Sequence, residues 1–149
     1  MKDYFKDDKI LIAGASGLLG RNLFEHLKKQ GFNVVGTCNS RPYPDLVSCD
    51  LTDYKQTKEL FDKEKPQYVF MLAAVSYGIG ITAGQPERLI RENLAIHSNL
   101  LELCYYNKVK KVFECSGSTI YQECDHEIKE SELDLNLPPY KVYFGIGWM

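Results

Sequence analysis

Three glycines stand in a GxxGxxG spacing at Gly14-Ala15-Ser16-Gly17-Leu18-Leu19-Gly20, directly behind a short apolar run, Lys9 to Ala13 (KILIA), and directly ahead of an amphipathic one, Arg21 to Gln30 (RNLFEHLKKQ). Glycine at such a junction permits a tight turn with positive φ, close approach of the backbone to a diphosphate, and close packing of the helix on the strand. The helix N-terminus then offers free N–H donors and partial positive charge. A glycine triplet alone is a weak signal, since turns use glycine anyway. Its strand–turn–helix setting is what points to dinucleotide binding. Gly14, Ser16, Gly17, Leu18, Leu19 and Gly20 are therefore candidate cofactor contacts.

The end of the second strand speaks to which dinucleotide. An NAD site places Asp or Glu there, accepting from the ribose hydroxyls and repelling a 2′-phosphate. Here Val34-Val35-Gly36-Thr37 runs into Cys38-Asn39-Ser40-Arg41, with no acidic residue before Asp45. Asn39 and Ser40 can donate to a phosphate without charge conflict, and Arg41 can meet it with a planar fork. The other reading of Arg41 is a solvated loop residue. The pattern predicts NADP(H) in preference to NAD(H), with Asn39 and Arg41 among the contacts.

Other reactive side chains carry less. The five cysteines (Cys38, Cys49, Cys104, Cys115, Cys124) are odd in number and never spaced CxxC, which reads as reduced, mostly buried thiols. Cys124, Asp125 and His126 are adjacent, but neighbouring residues converge poorly on one ion and no second His/Cys pair completes a tetrahedron. No metal is expected.

The elements that must position these groups follow from periodicity. After KILIA and the helix over Arg21 to Gln30, with Gly31 at its C-terminal end, strands are expected at Asn33 to Thr37 and Leu46 to Asp50. A helix is expected at Asp53 to Glu64, a strand at Tyr68 to Leu72, a long helix from Pro86 to about Tyr106, and a fifth strand at Lys111 to Cys115. The long helix offers Leu89, Ile90, Leu94, Ile96, Leu100, Leu101 and Leu103 as its apolar stripe. Strands alternating with helices predict a parallel sheet covered on both faces, and right-handed crossovers single out a Rossmann-like doubly wound α/β fold. After Cys115 the pattern turns irregular, through an acidic stretch from Glu123 to Asp134 to an aromatic tail that reads as the opening of another helix. Residues 1–149 are expected to form one NAD(P)-binding domain, cut short before its last strands and any substrate domain.

Composition sets the outer limits. Of 149 residues, 44% are hydrophobic and 26% charged, and Lys plus Arg number 18 against 20 for Asp plus Glu. A net charge of −2 gives no case for nucleic acid or an anionic membrane as partner. No run approaches the roughly 20 apolar residues of a membrane span. The polar start, MKDYFKDDK, is neither a signal nor a transit peptide, so a cytoplasmic protein is expected.

With these features in place, the sequence resembles the extended short-chain dehydrogenase/reductase family, the NAD(P)-dependent nucleotide-sugar epimerases, dehydratases and reductases. Within it the likeness is nearest to the GDP-fucose synthase branch. The resemblance runs over nearly the whole chain. It implies an adenine contact from Asp50 of the Asp50-Leu51 pair and a cofactor-lining segment at Leu72-Ala73-Ala74. The Val75-Ser76-Tyr77-Gly78-Gly80 stretch is similar to the synthase branch. The family's long-helix pattern matches Asn93 through Asn99-Leu100-Leu101-Glu102, with Asn93 as a polar helix residue or a tie to a neighbouring backbone. It also implies catalysis by a post-strand hydroxyl and a Tyr-x-x-x-Lys pair, the tyrosine moving a proton while hydride passes to or from the nicotinamide, the lysine lowering its pKa. In Cys115-Ser116-Gly117-Ser118-Thr119-Ile120-Tyr121, Gly117 falls where the hydroxyl normally sits, leaving Ser118 or Thr119 for that role or for plain loop hydrogen bonds. Tyr143 is the candidate proton donor, or an aromatic packing the tail. Its i+4 partner is Gly147, not lysine; a register that runs Ile146-Gly147-Trp148-Met149 up to a lysine forfeits the tyrosine.

Two readings therefore stay open: the NAD(P)-binding part of a nucleotide-sugar epimerase, dehydratase or reductase, or a non-catalytic dinucleotide-binding relative that has lost the chemistry. A structural partner subunit is a third, because an unfinished sheet exposes an edge for pairing. Self-association, as a homo-oligomer, is expected near Phe144 and Trp148. A nucleotide-sugar is the expected substrate of a complete enzyme.

Overall fold

A computed structural model describes residue 5 and residues 7–39, 42–76, 86–143 and 147. The chain divides into two compact units, Met1–Ala74 with Ala95–Cys115, and Val75–Leu94 with Ser116–Met149. In the first unit the elements are β1 (Ile10–Ala13), α1 (Leu18–Lys29), β2 (Val34–Cys38), β3 (Val47–Ser48), α2 (Tyr54–Glu64), β4 (Tyr68–Met71) and β5 (Lys111–Glu114). A long helix, α3 (Pro86–Tyr106), contributes residues to both units.

The sheet is wholly parallel, in the order β3-β2-β1-β4-β5. This is the order of a doubly wound nucleotide-binding sheet, with its direction reversing between β1 and β4. All four residues of β1 are fully buried, as a central strand covered on both faces must be. Ile10 and Ile12 pack on one face with Ala15, Phe24, Leu27 and Tyr68. Strand alternation sends Leu11 and Ala13 to the opposite face. Leu60 and Phe61 of α2 and Leu100, Leu103 and Cys104 of α3 are also buried, and the Tyr54 hydroxyl bonds Glu102 at 3.0 Å to link the two helices.

The helix ends obey local chemistry. Gly31, at φ 79°, closes α1 with its N–H on Lys28 O (2.9 Å) while Phe32 N–H reaches Leu27 O (3.1 Å), a Schellman motif. Asp53 lies outside α2 as its N-cap, accepting from Lys55 N–H at 2.8 Å and Gln56 N–H at 3.2 Å.

Two expectations are corrected. β3 has two residues rather than five: Asp45 takes φ 67°, Leu46 packs against the core, and the Asp50 carboxylate closes a local turn with Thr52 instead of extending the strand. Leu94 and Leu101 are about half exposed, so the apolar stripe of α3 is narrower than the periodicity suggested. The cysteines are mostly buried, as expected: Cys38, Cys49 and Cys104 are buried, and Cys115 and Cys124 are exposed.

Besides its share of α3, the second unit is built, among the described residues, from short turns. Single 3-10 turns occupy Ser118–Ile120, Glu130–Glu132 and Lys141–Tyr143. Gln122 and Pro139 form an antiparallel bridge, and Tyr140 N–H donates to Tyr121 O at 3.2 Å. Lys141–Tyr143 form a 3-10 turn, closed by Tyr143 N–H on Tyr140 O at 2.8 Å, and Gly147 beyond it is helical, in keeping with a tail that opens a helix.

Candidate functional site

The glycine turn lies at the C-terminal end of β1, beside the sheet's switch point. Gly14 sits at φ +87°, and a Cβ there would stand 2.7 Å from the backbone of Ala73. At Gly20 a Cβ would come within 2.2 Å of the Gly14 carbonyl oxygen. Both positions are closed to side chains by the protein's own backbone. Gly17 differs. Its φ of −77° suits any residue, and a Cβ would meet only the Gly14 oxygen, at 3.3 Å. Gly17 is exposed and caps α1 without a side-chain hydrogen bond or any acidic residue in the first turn. A helix start left this way keeps its first N–H groups available to an anion. Leu18 and Leu19 follow it, both largely exposed, and Ser16 is half-buried.

Around the turn, Leu72 N–H donates to Ala13 O at 3.0 Å. Leu72 and Ala73 are half-buried and Ala74 is exposed, so this segment emerges beside Gly14. Asn39 is exposed at the end of β2; Arg41 and Ser40 lie outside the described residues, as do Tyr77, Gly78, Gly80, Phe144 and Trp148. The Asp50 Oδ1 accepts from Thr52 N–H (3.0 Å) and Thr52 Oγ1 (2.7 Å). Leu51 is buried.

Two residues matter here that the sequence did not single out as site residues. Buried Thr37 accepts the Gly14 N–H on its hydroxyl at 3.0 Å. Asn99 of α3 donates to the carbonyls of Leu51 (3.0 Å) and Thr52 (3.1 Å), holding the Asp50 loop. Neither contact has a local sequence signal, because each is made across tens of residues. Arg21 places its guanidinium 5.2 Å from the Tyr43 ring centroid and pairs with Glu25, while Lys28 lies 3.7 Å from Asp45. These contacts fasten the 42–46 loop to α1.

In the second unit, Asn93 uses its whole amide internally. Its Oδ1 accepts Val75 N–H at 2.8 Å, and its Nδ2 donates to Val75 O and Leu89 O, each at 3.0 Å. Ser118 is exposed, and Thr119 and Tyr143 are half-buried. The bridge at Gln122 and Pro139 brings the Ser118–Ile120 turn and the segment leading to Tyr143 together. A Cβ on Gly147 would stand 2.4 Å from Thr119 O and 2.5 Å from the Pro139 ring. The position four residues after Tyr143 therefore has no room for a lysine.

Burial pushes the Cys49 and Cys104 thiols up to about 11, which keeps them protonated and poor nucleophiles. Among the described residues no group of three His, Cys, Asp or Glu is placed to hold a metal ion. Nor is any helix among them long and apolar enough to cross a membrane.

Comparison with known proteins decides the family. Residues 10–144 match the NAD dependent epimerase/dehydratase family. The chain belongs to that family. GDP-L-fucose synthase 1 of Arabidopsis thaliana is 33% identical over 145 residues, covering 95% of this chain and 43% of the relative. A GDP-mannoheptose C4 reductase from Campylobacter jejuni, solved with NADP bound, superposes with a TM-score of 0.79 at 29% identity, over 95% of this chain and 43% of its own. A GDP-D-glycero-L-gluco-heptose synthase from the same organism, solved in the presence of NADPH, gives 0.78 at 30% identity, over 95% and 40%. The chain thus spans less than half the length of these epimerase/dehydratase relatives while carrying the Rossmann-like sheet of their fold.

Proposed function

We propose that this chain is the NADP(H)-binding part of an enzyme acting on a GDP-linked sugar, with hydride transfer at a sugar carbon as its chemistry. One observation carries the cofactor reading: Gly14 and Gly20 are closed by backbone, while Gly17 opens onto an uncapped helix start. A diphosphate fits there, held by N–H groups of Leu18, Leu19 and Gly20, with Ser16 at the turn. Asp50 and Leu51 lie toward the adenine, Leu72, Ala73 and Ala74 line the cofactor, and Asn93 positions the segment at Val75. Asn39 and Arg41 receive the 2′-phosphate. Relatives solved with NADP and NADPH, and the missing acid after β2, support NADP(H) over NAD(H). When bound, the nicotinamide supplies or accepts hydride. The proton on the sugar oxygen moves through Tyr143, with Ser118 or Thr119 holding that oxygen. GDP-linked names among the relatives support the substrate class.

Calorimetry with both cofactors tests this reading. NADPH is expected to bind more tightly than NADH, and Arg41→Ala to weaken NADPH by roughly ten- to a hundredfold while sparing NADH. Equal affinity for both, or equal loss in the variant, contradicts the assignment.

A second reading has its own support. The tight contact of Gly147 with Thr119 and Pro139 removes the lysine that would tune Tyr143, as in a dinucleotide-binding relative without turnover. Joining the chain to the remaining length of GDP-L-fucose synthase 1 separates the two: oxidation of NADPH by a GDP-linked ketosugar, lost in Tyr143→Phe, favours the enzyme, and no oxidation favours the relative without turnover. The proposal also includes a cytoplasmic setting, where the five thiols stay reduced, and self-association near Phe144 and Trp148. A concentration-independent monomer on size exclusion contradicts that last part.

A further inference from the structure

We infer that Thr37 is the positioning residue that sets the phosphate-binding turn from the neighbouring strand, an assignment that rests on the cofactor reading above. β1 pairs with β2 only as far as Ile12↔Gly36, and beyond that point the Gly14 N–H takes the Thr37 hydroxyl, at 3.0 Å, as its acceptor. The bond opens a series: the Gly14 carbonyl accepts Gly17 N–H at 3.0 Å, and the Gly17 carbonyl accepts Arg21 N–H at 2.9 Å. Three bonds thus run from Thr37, a residue 1% exposed, through Gly14 and Gly17 to the first bonded N–H of α1. Valine has the same shape and an equal liking for strands, but in this place it leaves a partly buried N–H without its acceptor, the costly direction for a hydrogen bond. Thr37 also stands two residues ahead of Asn39 on the same strand end. One side chain therefore fixes the diphosphate cradle against the strand that presents the ribose contact.

The test compares two ligands on three proteins: NADPH, which reaches the turn, and 2′-AMP, which lacks the diphosphate, bound to wild type, Thr37→Val and Thr37→Ser. The expected result is about a tenfold loss of NADPH affinity in Thr37→Val, an unchanged 2′-AMP affinity, and near wild-type values in Thr37→Ser. Equal losses for both ligands in Thr37→Val, or no loss for NADPH, overturn the positioning role while leaving the cofactor site standing. A wild type that binds neither ligand overturns the cofactor reading and this inference with it. Should Thr37→Val fail to fold, amide exchange on wild type decides: a protected Gly14 N–H supports the anchor, and one exchanging as fast as an open loop overturns it.

Discussion

Gly14 and Gly20 sit where a Cβ would strike backbone at 2.7 and 2.2 Å, whereas the nearest atom to a Cβ on Gly117, in the loop after β5, is the Thr119 hydroxyl at 3.4 Å. The surroundings differ in the same sense. The glycine turn is fastened by a fully buried strand behind it and a buried hydroxyl beside it. Between residues 116 and 143, Pro139 alone is buried among the side chains described. The comparison teaches that the glycine turn is determined by internal packing. The segment bearing Ser118, Thr119 and Tyr143 is held by a few hydrogen bonds and one bridge. The segments proposed for binding and for catalysis are unequally fastened.

The largest effect that could break this contrast is at the turn. Gly20→Ala and Gly14→Ala should each lower unfolding free energy by about 2–4 kcal/mol, through overpacking against backbone and, at Gly14, an unfavourable φ. NADPH binding should vanish with them. Urea denaturation and cofactor titration of the two variants check this, and a Gly14→Ala protein of wild-type stability would show that the turn is not closed.

Next in size is Gly147→Lys, which restores the Tyr-x-x-x-Lys spacing on paper. The tight approach of Thr119 O and Pro139 should instead expel the tail, raising protease cleavage within residues 116–149 without producing NADPH oxidation. Turnover gained in this variant would mean that the tail can accept the family's lysine after all.

How much of this was legible follows from the range of each interaction. β1, the glycine turn and α3 could be read directly, because an apolar run, a glycine spacing and a helical period are local patterns. Residues Pro86–Tyr106 form one helix, as the spacing indicated. The short β3 was not legible, since Asp45 at positive φ and the turn at Asp50 are decided by neighbouring packing and side-chain hydrogen bonds. Leu94 and Leu101 fit a helical stripe yet face outward, because periodicity gives a face but not its width. Thr37 and Asn99 were invisible as site residues. Threonine in a strand signals only β propensity, and an asparagine six residues after Asn93 gives no hint of the loop it holds. That Gly147 stands where a lysine is expected was legible in the sequence, but that Thr119 and Pro139 would crowd a side chain there was not, because those contacts are tertiary.

A smaller pH effect sharpens the comparison. Asp53 and Asp134 are both held below the usual carboxylate range, first by backbone N–H bonds from Gln56 and Asn136 respectively. Asp53 caps an 11-residue helix in the first unit, while Asp134 closes a loop turn in the second. A depressed folded pKa contributes stability above the unfolded value and loses it as pH falls through the folded one. Asp53→Asn should therefore lower Tm slightly at neutral pH, with the gap to wild type closing below about pH 4. Asp134→Asn should leave the cooperative transition unmoved. Thermal melts across that window check both.

Smallest of all is Gly117→Ala, expected to stay within about 0.5 kcal/mol of wild type and to leave NADPH affinity unchanged. A large loss in either measurement, by denaturation or titration, would place Gly117 among the closed glycines and blur the contrast.

The central claim is that the turn binds cofactor while residues 1–149 by themselves do not complete the reaction. NADPH fluorescence, followed in one cuvette as the chain is added and then a GDP-linked ketosugar, tests it most directly. The account predicts a rise in fluorescence on adding the chain, absent with Gly20→Ala, and a steady signal after the sugar. No rise, or a decay after the sugar that disappears in Tyr143→Phe, would contradict it.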